Sequence, residues 1–191
     1  MSDEITLLNR ADMFIFASAA LRDYYIANGL EEKPYLIQAV PDYMTDICAN
    51  EHKNKKLYIM AETSQNDYLL NNLNIEVVRY DEYHVTESIL RLSDGGFGLI
   101  WDTDEQALGL YMAAGIPVIV KKRLPCEKYV TDNEIGAATD FEDVYRIDVS
   151  ESEDKLSQYY ANVKKLQNLF INGIYTRKLL LDTLILCRER L

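Results

Sequence analysis

The sequence has few of the residues on which disulfide frameworks, zinc sites and nucleophilic catalysis depend. It contains only three cysteines, with no CxxC pair, and only two histidines, with no HxxxH pattern. These counts argue against a disulfide scaffold and a zinc motif. The sequence also has no apolar run long enough to span a bilayer and no signal-peptide pattern. We therefore expect a reduced, cytoplasmic protein without a metal, a cofactor or a membrane span.

Basic residues are scarce as well, since 20 Lys and Arg stand against 31 Asp and Glu and give a formal net charge of −11. A field of this sign repels nucleic acid and anionic membranes. It still permits an anionic small molecule, because the N-terminus of a helix can bind phosphate locally. The 191 residues suffice for one domain with a substantial core, and two small domains are the less favoured alternative.

Short apolar runs alternate with helical patterns through residues 1–150. The clearest unit is residues 95–122, GGFGLIWDTDEQALGLYMAAGIPVIVKK, which predicts a strand, an acidic loop, a helix and a second strand. Gly115 suits the end of that helix, and Pro117 cannot continue it. The alternation predicts an α/β fold with a doubly wound parallel sheet, that is, a Rossmann-like domain.

Residues 151–191 are predicted to form a helical tail of two helices, with a break at Asn172 and Gly173. The second helix carries a broad apolar face from Leu179 to Leu186. The favoured interpretation is that both helices pack on the sheet. The alternative is that the second helix packs against a copy of itself, which would make the protein a homo-oligomer.

Three segments, taken in order, resemble the C-terminal domain of GT-B glycosyltransferases. They are residues 7–30, LLNRADMFIFASAALRDYYIANGL; residues 37–46, IQAVPDYMTD; and residues 95–102 with 108–120, GGFGLIWD and LGLYMAAGIPVIV. The match is strongest to bacterial glucosyltransferases that extend glycans on serine-rich adhesins, a nucleotide-sugar-synthetase-like and galactofuranosyltransferase-like family.

The resemblance implies a nucleotide-sugar donor, UDP-hexose, as substrate and a glycosylated protein as acceptor. In such enzymes the acceptor and much of the cleft belong to an N-terminal domain, and this chain begins near the linker between the two domains. We therefore expect an N-terminal acceptor domain or a partner chain to complete the active site, and we assign no catalytic residue.

In the resembling family the nucleotide lies beyond the carboxyl ends of the strands. Glu62, Thr63 and Ser64 follow the third predicted strand, and their backbone N–H groups could hold a phosphate. N-capping by Ser64 explains the same residues equally well. Tyr80 and Tyr83 follow the fourth strand and could stack on uracil, or they could be ordinary exposed aromatic residues.

An acidic loop follows the fifth strand and contains Asp102, Asp104, Glu105 and Gln106. Its carboxylates could accept hydrogen bonds from ribose or sugar hydroxyls. They could instead complement the positive end of the following helix dipole.

Lys121 and Lys122 follow the sixth strand and are the best remaining cations for a diphosphate. The resembling family usually carries a longer polar insert with a lysine where this chain has its acidic loop. Such a basic pair can also be a solvated strand end.

This departure sustains a second hypothesis. Acidic side chains repel a diphosphate unless a cation intervenes. The chain could therefore be a non-catalytic relative that uses the fold as a protein-binding or oligomerisation module.

Overall fold

The computed structural model describes residues 2–38, 43, 56–60, 76–80, 95–101, 105–140 and 153–188. Strands and helices alternate along most of these residues. In chain order the elements are α1 (Ser2–Leu8), β1 (Phe14–Phe16), α2 (Ala19–Ala27), β2 (Tyr35–Ile37), β3 (Lys56–Met60), β4 (Glu76–Tyr80), β5 (Phe97–Ile100), α3 (Glu105–Ala114), β6 (Val118–Lys121), α4 (Glu127–Asp132), β7 (Gly136–Thr139), α5 (Glu153–Ile171) and α6 (Ile174–Arg188).

The strands within the described residues form two sheets rather than one. β1 pairs with β2 in a two-stranded sheet, and the other strands form a five-stranded sheet in the order β4-β3-β5-β6-β7. Every pairing in both sheets is parallel. The predicted α/β class with a parallel, Rossmann-like sheet is therefore confirmed. We call residues 2–38 the N-terminal unit and the described residues from 56 onward the C-terminal unit.

The centre of the C-terminal unit is the β5-α3-β6 segment. The ring of Tyr111 on α3 lies directly against the backbone of Gly98 on β5, where an added Cβ would stand only 2.3 Å from the ring. The Tyr111 hydroxyl donates toward the carbonyls of Tyr58 and Leu99, each at 3.1 Å. A small residue in the strand thus lets a large one hold helix and sheet together.

Gly115 ends α3 as expected. Its φ of 76° lies in the left-handed region, and the N–H of Ile116 reaches back to the carbonyl of Tyr111 at 3.1 Å. This is the Schellman arrangement, in which glycine avoids the cost of a Cβ. The chain is thereby turned directly into β6.

The N-terminal unit has a small core of its own, formed by Ile5, Phe14, Phe16 and Leu30. Ser18 begins α2 as an N-cap, since its Oγ accepts the N–H of Leu21 at 3.0 Å. A serine at this position satisfies one of the N–H groups that a helix start leaves unpaired.

The two tail helices differ in burial. α5 packs on α3, with Val163 and Phe170 in the main core and the Gln167 amide donating to the carbonyl of Ala113 at 2.9 Å. α6 has no fully buried residue, and Leu180, Leu181, Leu184 and Ile185 are 53–66% exposed. The face that the sequence predicts as apolar is therefore largely uncovered on this chain. Across the described residues, no helix is both long and apolar enough to cross a membrane.

Candidate functional site

The carboxyl ends of the five strands of the main sheet lie at one edge, because all the strands are parallel. In the sheet, β4 lies on one side of β3, and β5, β6 and β7 follow on the other side. The direction in which successive strands are added to the sheet therefore reverses between β3 and β5, which end at Met60 and Ile100. Ligands of open α/β sheets bind beyond the strand ends at such a switch point. This edge is the candidate site.

An aromatic residue and a cation meet at the edge. Ile100 and Val120 are partners in the β5–β6 register, so Trp101 and Lys121 follow side by side. The Lys121 ammonium lies 5.6 Å from the centre of the Trp101 ring, and Trp101 is buried. A cation at this distance from an indole face is attracted by the ring. The contact with the Trp101 ring thus holds Lys121 beside the end of β5 and does not neutralise its positive charge.

Lys122 lies differently. Its ammonium is 2.5 Å from a carboxylate oxygen of Asp140, which follows β7, and both side chains are about half exposed. Such a pair is screened by water and contributes little to stability. A phosphate at Lys122 would have to compete with Asp140. Of the two predicted cations, Lys121 is therefore the better placed for an anion.

The turn after β6 has an unusual backbone. Arg123 has a φ of 70°, a conformation that side chains other than glycine seldom adopt. Its N–H donates to the Glu127 carboxylate in the first turn of α4. This contact fixes the start of α4 against the end of β6, next to the two lysines.

The remaining predicted site residues are described only in part. Tyr80 is the last residue of β4, and Glu105 and Gln106 are the first two of α3, but their side chains are outside the described set. Outside the described residues altogether lie Glu62, Thr63, Ser64, Tyr83, Asp102 and Asp104. Their assignment stays a prediction. In the described part of the chain, no group of three or more His, Cys, Asp or Glu is arranged to hold a metal ion.

Two residues at this edge were not expected from the sequence, Trp101 as the partner of Lys121 and Asp140 as the partner of Lys122. Each immediately follows a strand that neighbours β6. The signal that could have found them is their position one residue beyond each strand, combined with the strand order. Without the strand order, the sequence does not show that residues 18 or more positions apart are neighbours in space.

A second concavity lies away from the strand ends. It is a cleft of about 440 Å³ between the end of β2, α4 and the junction of α5 with α6. We call it the junction cleft. It is lined by Leu36, Ile37, Gln38, Tyr129, Phe170, Tyr175, Lys178, Leu179 and Asp182.

The aromatic residues of the junction cleft contact one another. The rings of Phe170 and Tyr175 meet edge to face with centroids 5.4 Å apart. Burial raises the pKa of Tyr129 far above its ordinary value, and the neighbouring Tyr175 hydroxyl adds to the shift. The Tyr129 phenol therefore keeps its proton and can act as a hydrogen-bond donor and acceptor.

Comparisons with known proteins agree with this architecture. Residues 42–183 match the family described as glucosyltransferase 3-like, C-terminal domain. Glucosyltransferase 3 of Streptococcus gordonii is 26% identical over 97% of this chain and 65% of its own length. Glucosyltransferase 3 of Streptococcus parasanguinis is 30% identical over 63% of this chain and 39% of its own length. The chain thus covers less than two thirds of either relative.

The family match extends over most of the chain and includes all five strands of the main sheet. It confirms the resemblance drawn from the three sequence segments. The chain belongs to the glucosyltransferase 3-like family, whose C-terminal domain it contains.

Proposed function

We propose that this chain is the donor domain of a glycosyltransferase and binds a nucleotide sugar, UDP-hexose, at the carboxyl edge of its five-stranded sheet. The observation that carries the proposal is the Lys121 ammonium, held over Trp101 at 5.6 Å beside the switch point of the sheet. Membership of a glucosyltransferase family supports a hexosyl donor.

The chemistry would rest on electrostatics and positioning. A glycosyl transfer leaves negative charge on the departing nucleoside diphosphate, and a fixed cation stabilises that charge as it develops. Lys121 lies over the Trp101 ring, so it is partly oriented before a ligand arrives. The N-terminus of α3 begins at the same edge and adds partial positive charge from its N–H groups. The chain would hold the donor, and the catalytic base would come from elsewhere.

The acceptor would be a protein-linked glycan, presented by an N-terminal domain or a partner chain. The two-stranded sheet supports this part of the proposal. Ile15, Tyr35 and Ile37 on its strands are 42–45% exposed, whereas parallel sheets are normally covered on both faces. A further domain packed on this sheet would bury these side chains.

We place this activity in the cytoplasm. Among the described residues, neither Cys126 nor Cys187 is in a disulfide. Thiols that stay unpaired are typical of a reducing compartment.

The first test is calorimetric titration of the purified chain with UDP, with GDP and AMP as controls, with and without a divalent cation. Selective UDP binding is expected. If a folded chain binds none of the three nucleotides, the donor proposal is wrong.

A variant pair then locates the site. Lys121→Ala removes a charge-assisted contact worth about 1.5–3 kcal/mol, so UDP should bind roughly ten- to hundredfold more weakly. Lys128→Ala is the matched control, because this lysine is exposed on α4. Equal UDP affinity in both variants would remove Lys121 from the site.

The exposed face of α6 favours a second candidate, a module that assembles with other chains. Leu180, Leu181, Leu184 and Ile185 occupy adjacent turns on one side of the helix and are each more than half exposed. An apolar patch of this kind marks a protein contact more often than a solvated surface. The contact could be with a second copy, which would make a homo-oligomer.

Mass measurement in solution tests this second candidate. A dimer or larger species that Leu184→Glu converts to monomer would support assembly through α6. A wild-type chain that is monomeric at all concentrations would exclude it.

A further inference from the structure

The junction cleft plays no part in the proposed donor site. It lies where three elements of distant sequence meet, with the end of β2 on one side, Tyr129 of α4 on the second and the α5–α6 corner on the third. Its volume of about 440 Å³ falls within the range of small-molecule pockets, which are mostly apolar with a few polar groups that fix orientation. The chemistry of its walls therefore indicates what it could hold.

One wall is aromatic. Phe170 is 1% exposed and forms the floor, and the half-buried ring of Tyr175 stands against it at 5.4 Å. Tyr129 completes the wall, with its hydroxyl next to that of Tyr175. The backbone carbonyl of Phe170 accepts the N–H of Tyr43. The aromatic surface thus has a buried ring at its floor and carries hydroxyl groups at its border.

The polar part of the lining has no net charge. The Lys178 ammonium pairs with the Asp182 carboxylate at 2.5 Å one turn further along α6. Gln38 reaches the cleft from the end of β2, where its backbone N–H donates to the carbonyl of Phe16 at 2.9 Å. Among the described residues, the side-chain amide of Gln38 has no hydrogen-bond partner. The rim therefore offers both donors and acceptors, with positive and negative charges balanced.

We propose that the junction cleft binds a neutral sugar ring of the hexopyranose class. A pyranose has an apolar face of C–H groups that can pack on the rings of Tyr175 and Tyr129. Its hydroxyls both donate and accept, which matches a rim of amide, carboxylate, ammonium and phenol groups. If the proposed function holds, the sugar would belong to the acceptor glycan, but the cleft would bind it without a nucleotide.

The same features disfavour other ligands. A nucleoside diphosphate needs uncompensated positive charge, and here Asp182 already occupies Lys178. A purely apolar ligand would leave the Gln38 amide facing it without a partner, which costs free energy. The balance of charge and aromatic surface thus selects an uncharged, polyhydroxylated molecule.

Ligand-detected NMR tests the proposal. Saturation transfer from the folded chain is measured to the methyl glycosides of glucose and N-acetylglucosamine, with glycerol as the control compound. We expect transfer to the glycosides, strongest at the ring C–H protons that would face the aromatic wall. No transfer to any glycoside at millimolar concentration would overturn the proposal.

Variants place the sugar in the cleft. Gln38→Ala should weaken glycoside binding about tenfold, because a hydrogen bond to the half-buried amide of Gln38 is lost. Gln158→Ala is the matched control; this glutamine is exposed on α5 and bonds to Glu134 away from the cleft. Tyr175→Leu should abolish transfer to the ring protons, while Tyr175→Phe keeps the ring and retains it. If Gln38→Ala and Gln158→Ala bind alike, the sugar lies elsewhere and the assignment is wrong.

The two proposals can fail separately. Lys121→Ala should weaken UDP binding and leave glycoside binding unchanged, and Gln38→Ala should do the reverse. A glycoside effect of Lys121→Ala as large as that of Gln38→Ala would mean that sugar and nucleotide share one site, which would contradict a separate junction cleft.

Discussion

The N-terminal and C-terminal units use the same kind of parallel pairing but differ in how completely their strands are buried. In the C-terminal unit Val118 and Val120 of β6 are fully buried, because strands lie on both sides and helices cover the sheet. In the N-terminal unit β1 and β2 pair only with each other among the described residues. Their strand residues Ile15, Tyr35 and Ile37 stay 42–45% exposed. Parallel pairing alone therefore does not bury both faces of a sheet.

This difference in burial suggests different roles for the two units. The C-terminal unit supplies a rigid edge on which Trp101 and Lys121 have fixed positions. The N-terminal unit contributes a small core and an incompletely covered sheet, which suits a surface that another domain completes. Taken together, the following predictions test whether the C-terminal unit tolerates change less than the N-terminal unit does.

The largest effect is expected at Gly136 on β7. A Cβ built there would stand 1.7 Å from the carbonyl oxygen of Val118, which is backbone and cannot move aside. Gly136→Ala should lower the free energy of unfolding by about 3 kcal/mol or more, as forced overpacking does. Urea denaturation measures the loss. Ala137→Ser on the same strand is the control, and a Gly136→Ala chain as stable as this control would contradict the packing described for β6 and β7.

A matched pair of tyrosines compares the units directly. The Tyr111 hydroxyl is fully buried and donates to strand carbonyls, so Tyr111→Phe should cost about 2 kcal/mol of unfolding free energy. The Tyr25 hydroxyl donates to the Glu4 carboxylate at 3.2 Å on the surface of the N-terminal unit. Tyr25→Phe should be indistinguishable from wild type in the same denaturation experiment. Equal losses in the two variants would remove the contrast between the units.

Local signals predicted much of this fold. Gly115 as a helix end depends on the chemistry of a few neighbouring residues, and it is confirmed. The division into two sheets was not predicted, because the apolar runs at Phe14–Phe16 and Phe97–Ile100 read alike in the sequence. Which strands pair is decided by tertiary packing, which such runs do not encode.

The same limit applies to the candidate sites. Lys121 was predicted at a strand end from the residues around it. Its contact with Trp101 depends on β5 and β6 being neighbours. The junction cleft brings Gln38 together with Asp182, across a sequence separation that no periodic pattern reports.

Alkaline pH offers a third comparison. Burial is the largest cause that raises the pKa of Tyr160, whose hydroxyl also bonds to the backbone of Gly96. In the N-terminal unit the hydrogen bond to Glu4, not burial, is the largest cause that raises the pKa of Tyr25. The folded chain holds the Tyr160 proton to higher pH than the unfolded chain does. The stability from this group is therefore complete below about pH 10, where an unfolded tyrosine ionises.

Above that pH the stability should fall by about 1.4 kcal/mol per pH unit for each such group, until the folded pKa is reached. Tyr160→Phe should flatten this fall, while Tyr25→Phe should change it less. Denaturation curves collected from about pH 8 to pH 11, a range that includes the ordinary tyrosine pKa, provide the measurement. A slope that Tyr160→Phe leaves unchanged would show that burial of this hydroxyl does not control the alkaline limit.

The smallest effect is expected at the start of α2 in the N-terminal unit. Ser18 Oγ accepts the N–H of Leu21 at 3.0 Å, and Ser18→Ala removes this acceptor at a typical cost of about 1 kcal/mol. Ser18→Gly should cost only a few tenths of a kcal/mol, because glycine is tolerated at the N-cap. Hydrogen exchange of the α2 amides, compared with those of α3, measures which helix loses stability. If the N-terminal unit opens independently, Ser18→Ala should speed exchange in α2 and leave α3 unchanged; equal acceleration in both helices would mean that the two units unfold as one.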